Sequence, residues 1–119
     1  MFTPSIGSSS MAYSEELAQR IRSEIGAHPA LVEKQMFGGI AFMIHGNMSV
    51  GVAGDELMVR VGKENDGAAM ARPHVRPFDL SGRPMAGWVL VAAEGLSAHE
   101  DLASWIDTGV QYAEGLPPK

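Results

Sequence analysis

Apolar residues recur every four positions at Leu17, Ile21 and Ile25, which marks one side of a helix. Ser14 stands at its N-cap, Glu15 and Glu16 suit the positive end of its dipole, and Gly26 and Pro29 stop it. From Leu31 the period becomes that of strands, punctuated by Gly38-Gly39, Gly46-Asn47 and Gly54-Asp55. Strands are predicted near Val32–Met36, Ile40–His45, Met48–Ala53 and Glu56–Val61. Two-residue type II′ loops are expected at Gly46-Asn47 and Gly54-Asp55. Lys63–Ala71 reads as a short helix closed by Arg72-Pro73. Arg76-Pro77 and Arg83-Pro84 favour extended backbone, so an edge strand is expected at Val75–Leu80 and another strand at Trp88–Ala92. Ser97 and Glu100 have capping-box spacing ahead of a last helix, whose stripe is Leu102, Trp105, Ile106, Val110 and Ala113. Gly115 and Pro117-Pro118 end it.

Two-residue loops would pair Met43 with Val50, Val50 with Val59, and Val52 with Leu57. One sheet face then collects Ala41, Met43, Met48, Val50, Val52, Leu57, Val59 and Val61, and this face should meet the helices. The other collects Ile40, Phe42, Ile44 and Met58 beside Ser49, Gly51 and Arg60. Ile40, Phe42, Ile44 and Met58 are therefore expected to form an interaction face for a protein partner or a second copy. The alternative is that the Arg72–Met85 loop folds over them. Trp88 and Trp105 both fall in apolar patterns and read as core residues.

The chain has 119 residues, of which 45% are apolar, enough for one core. Residues 1–11 show no periodicity and read as a disordered tail, with the folded domain at 12–119. Without cysteine there is no disulfide, thiolate metal site or cysteine nucleophile, and the cytoplasm is the expected location. No secretory signal and no membrane-length apolar run is seen, so no membrane association is expected.

A formal charge of −5 argues against strong direct DNA binding. The segment from Arg60 to Arg83 nevertheless carries +2. Arg60, Arg72, Arg76 and Arg83 are candidates for an anion site, because guanidinium groups bind phosphate or carboxylate in a planar, two-pronged way. The alternative is that they pair with neighbours such as Asp66 and Asp79 and pin a proline-rich loop. His28, His45, His74 and His99 lack metal-ligand spacing, so neither a metal nor a cofactor is expected. No nucleophile elbow, phosphate loop or dinucleotide fingerprint is present, and no enzymatic activity is expected.

Lys34-Gln35-Met36-Phe37-Gly38-Gly39-Ile40-Ala41-Phe42, Gly46-Asn47-Met48 and Leu57-Met58-Val59-Arg60, followed by Arg72-Pro73 and Gly82-Arg83-Pro84-Met85-Ala86-Gly87-Trp88-Val89, resemble the N-terminal domain of the TfoX/Sxy family, in its short, single-domain form. The resemblance implies an α+β fold of two layers, an antiparallel sheet with N- and C-terminal helices packed on one face. It implies a non-catalytic regulatory or protein-interaction module, of a family named for competence regulation and linked to transcription. The alternative function is a small-molecule or anion-binding domain using the arginine-rich loop. Met36, Phe37, Gly38, Gly39 and Trp88 are the family signature, and no catalytic role comes with them. Gly38-Gly39 reads as a bend or bulge, with the lining of a ligand groove as the alternative.

Overall fold

The computed structural model describes residues 13–36, 38–80 and 83–119, with residues 80, 83 and 84 described by backbone alone. The expected tail at 1–11 lies outside the described residues. Helix α1 (Glu15–Ile25) begins as its sequence requires: the Ser14 hydroxyl accepts from the Leu17 N–H at 3.1 Å. It buries Leu17, Ala18 and Ile21 and ends at Gly26, whose φ of 70° suits glycine. On its outer side Arg22 reaches Glu15 at 2.8 Å and Glu33 at 2.7 Å, tying the helix to the first strand. The hydrogen bonds to Glu33, and then to Glu15, hold the Arg22 guanidinium still more firmly in its charged form.

Six strands follow: β1 (Leu31–Met36), β2 (Gly39–Ile44), β3 (Asn47–Ala53), β4 (Glu56–Arg60), β5 (Val75–Leu80) and β6 (Arg83–Val91). They form one antiparallel sheet in the order β1-β2-β3-β4-β6-β5. The proline-rich segment thus enters the sheet as its edge, where Pro77 lacks only an N–H. β6 starts well before the predicted Trp88, because β5 gives its first half a partner beyond the reach of β4. The segment expected as one helix divides into a 3₁₀ turn (Lys63–Asn65) and α2 (Asp66–Met70).

The last helix, α3, spans His99–Glu114. The expected capping box does not form. Ser97 turns its hydroxyl back to the Glu94 carbonyl at the end of a 3₁₀ turn (Ala93–Leu96), Ala98 becomes an N-cap without a side-chain bond, and Glu100 and Asp101 supply the favourable charge.

The three helices among the described residues lie on one face of the sheet, giving a two-layer α+β domain. The core joins Leu17, Ala18 and Ile21 of α1 and Leu102, Trp105 and Ile106 of α3 to Phe42, Val50, Val59 and Val91 of the sheet.

The pairing of β3 with β4 is as the loop lengths predict, with Val50 opposite Val59 and Val52 opposite Leu57. Gly54 at φ 61° provides the positive φ that a type II′ loop needs first. The pairing of β2 with β3 is different. Its loop is His45-Gly46, with φ of 51° and 80°, a type I′ turn one residue earlier than expected. Asn47 is drawn out of the loop because its amide donates to the Pro117 carbonyl at 2.9 Å, while the Lys119 N–H donates to the His45 carbonyl at 2.8 Å.

That shift of the turn moves each partner by two and leaves the faces unchanged. A β-bulge reverses them. Phe42 opposes Val50 while Met43 opposes Met48, so Ser49 is the extra residue on β3. Its hydroxyl donates to the Phe42 carbonyl at 2.7 Å, which satisfies the backbone group that the bulge disturbs. Consequently Met48 and Val50 face opposite sides, and β2 turns Ile40 and Phe42 toward the helices.

Candidate functional site

The β2 reversal overturns the expected interaction face. Ile40 and Phe42 belong to the core beneath the helices, and Ile44 is also fully buried. Met58 does point to the helix-free side, but Phe78 and Leu90 enclose it completely. The described parts of the Arg72–Met85 segment do not lie across the face as a loop; Val75–Leu80 extends the sheet in its own plane and contributes Phe78 as the cover.

A different apolar surface takes its place. Strand alternation puts Val32, Lys34 and Met36 of β1 on the helix-free side, with Val32 opposite Met43. Val32 is 61% exposed and Met36 39% exposed, the two large apolar residues most open to water among those described. Met43 is half-buried beside them. Toward the other edge, Met48, Met85 and Trp88 pack half-buried against the Met58 cluster. Trp88 is therefore not a core residue beneath the helices, whereas Trp105, 3% exposed, is.

The arginines disperse. Arg76 pairs with Glu56 across the sheet. Arg72 lays its guanidinium on the Trp105 ring, 3.7 Å from the centroid. Arg60 lies over both Trp88 at 5.2 Å and Tyr112 at 5.5 Å. The Arg83 side chain lies outside the described residues. Among the described side chains Arg76 alone of the four has an acidic partner, Glu56; neither Asp66 nor Asp79 pairs with a described arginine, and Asp66 accepts instead from the Gly87 N–H.

Arg60 opens a cleft where the strand ends meet α3. It has a volume of about 220 Å³, and Lys63, Glu64, Trp88 and Tyr112 share its walls with Arg60. Its floor is glycine backbone. The Val61 and Gly62 N–H groups both donate to the Gly87 carbonyl, at 2.8 and 3.0 Å, and a Cβ on Gly62 would stand 2.6 Å from the Tyr112 ring. Lys63 counted in the sequence only as one of the charges of the Arg60–Arg83 segment and Tyr112 carried no signal, since the approach of α3 to the end of β4 is a tertiary contact.

A second groove, about 380 Å³, runs between α1 and α3 and is lined by Glu24, Ile25, His28, Ser104, Asp107 and Val110. His28 Nδ1 accepts from the Ala30 N–H at 3.0 Å, which leaves the proton of the neutral ring on Nε2, where it meets Glu114 at 2.8 Å. His99 reaches Glu24 at 3.1 Å. These pairs join the ends of the two helices. Among the described residues no group of three or more His, Asp or Glu side chains is placed to hold a metal, and no helix is long and apolar enough to cross a membrane.

The signature residues separate into two places. Met36 and Gly39 pair across the β1–β2 turn, where Gly38 has φ of 74°, and Phe37 lies outside the described residues. In place of the expected bend or bulge, Gly38 thus stands in the turn of a hairpin and Gly39 opens β2. The register aligns that turn with Val52, Leu57 and Val91, whereas Trp88 pairs with Arg60 at the opposite end of the sheet.

An antiparallel sheet backed on one face by helices, with the other face partly apolar and not covered by any described helix, defines a small two-layer α+β module. The chain belongs to the TfoX N-terminal domain family, whose family model matches residues 24–113. No curated protein and no solved structure matches it.

Proposed function

We propose that this domain is a non-catalytic, cytoplasmic regulatory module that binds a protein through the helix-free face of its sheet, in a role linked to transcription regulation, as its membership of a family named for competence regulation suggests. The observation that carries the reading is exposed Val32 and Met36 with half-buried Met43 at the β1–β2 edge, adjoining half-buried Met48, Met85 and Trp88. Exposed apolar area of this kind is uncommon without a partner, and methionine adapts its flexible side chain to an opposing surface. Lys34 lies between Val32 and Met36 and guards the edge of the sheet against indiscriminate strand pairing.

The test is association measured with native partners before and after Val32→Asp and Met43→Asp, with Gln111→Asp on the helix side as control. Loss of the same partner in both face variants, with the control unaffected, supports the reading; equal retention in all three overturns it. Light scattering on the same proteins reveals whether the partner is a second copy.

A further inference from the structure

We propose that the cleft at the end of β4 binds a small phosphate oxyanion, held by the Arg60 guanidinium and the Lys63 ammonium. In a chain with 14 acidic and nine Lys and Arg residues, an arginine ordinarily finds a carboxylate. Arg60 has none. Among the described residues no carboxylate lies within ion-pair distance of Arg60 or Lys63, and neither side chain donates to a described protein acceptor.

Stacking explains why this group is nevertheless held still. A guanidinium over aromatic rings keeps its in-plane N–H groups free, while the rings fix its orientation and remove water from its faces. Trp88 and Tyr112 perform this for Arg60 from two separate elements, β6 and α3. The resulting fork suits a tetrahedral oxyanion in a two-pronged contact, to which exposed Lys63 adds a mobile point charge.

Size and charge restrict the ligand further. About 220 Å³ is enough for a phosphate and a few attached atoms. Glu64 also lines the cleft and opposes two positive charges with one negative. A doubly charged phosphate therefore gains more than a singly charged carboxylate such as acetate. The site is separated from the Val32–Met36 edge by β2 and β3 and shares only Trp88 with the apolar face, so phosphate binding is tested on the isolated domain without a protein partner.

The two tryptophans make the test direct, because Trp88 lines the cleft and Trp105 does not. Inorganic phosphate is titrated at constant ionic strength against chloride, with acetate in parallel, and the two indole N–H resonances are followed by NMR. The expected result is a saturating shift of Trp88 alone with a midpoint on the order of 1–10 mM, and a weaker response to acetate. Lys63→Gln should raise the midpoint about three- to tenfold, Glu64→Gln should lower it, and Arg76→Gln should leave it unchanged. Arg60→Gln should abolish the shift, with the thermal midpoint measured alongside; if that variant does not fold, the exposed Lys63 and Glu64 variants decide. Parallel, non-saturating drift of both indoles, or a curve indifferent to the Lys63 and Glu64 substitutions, overturns the proposal.

Discussion

The two faces of this sheet use similar residues for different ends. Beneath the helices, β-branched and aromatic side chains such as Val50, Val52, Val59 and Phe42 interlock with Ile21, Trp105 and Ile106, all at most 3% exposed. On the opposite face the apolar material is largely methionine, and it grades from sealed Met58 through half-buried Met43 and Met48 to exposed Met36. Stiff, shape-specific side chains define the first surface. Flexible ones keep the second adaptable. The lesson is that apolar alternation alone cannot say which face of a strand is the core, since both faces here are apolar.

The contrast can be broken most severely from the core side. Trp105→Ala and Phe42→Ser should each cost about 3–5 kcal/mol of unfolding free energy in denaturant titrations, because both remove a large side chain from a closed interior. Unchanged stability in Phe42→Ser would return that residue to the open face and sink the bulge assignment.

A smaller effect is expected where helix and bulge touch. A Cβ on Gly109 would come within 2.5 Å of the Ser49 carbonyl oxygen and 2.6 Å of Val50, so α3 must shift to admit it. Gly109→Ala should therefore destabilise by about 1–2 kcal/mol net, the overpacking outweighing the roughly 1 kcal/mol that alanine adds to a helix. Stabilisation would mean that α3 sits farther from β3. Ser49→Ala should cost about 1–3 kcal/mol by leaving the buried Phe42 carbonyl without its hydroxyl partner.

On the open face, Val32→Asp should change stability by no more than about 0.5 kcal/mol, as for other exposed positions, while weakening partner association. A large loss of stability would show that the residue is covered in the isolated domain. The smallest response is expected from DNA: at physiological salt, a retardation assay with random duplex should show no sub-micromolar binding, in keeping with a charge of −5. Such binding, removed by Arg72→Gln with Arg76→Gln, would make the arginine segment a nucleic-acid site.

Much of the local architecture is legible in the chain. The Ser14 cap, the Leu17–Ile21 stripe, the Gly54-Asp55 loop, the Val75–Leu80 strand and the Trp105–Ile106 stripe each depend on residues close in sequence, and each has the expected form. Family membership is likewise legible, from two short blocks that the match over residues 24–113 encloses. The arginines were conspicuous as charge, but their partners were not, because Trp88, Trp105 and Tyr112 reach them from other elements.

What the sequence by itself determined, then, is the order of the main elements and the buried side of α1 and of α3, since capping, turn conformation and periodicity act over a few residues. Tertiary structure decided which face of β2 is inside. The hold of Pro117 and Lys119 on Asn47 and His45 moved the turn, and close packing of Gly109 on Ser49 accompanies the extra residue that inverts the strand. A side-chain period of two makes a single inserted residue enough to exchange core for surface, and the helix packed against that residue at Gly109 comes from about 60 positions along the chain, where no local pattern can register it.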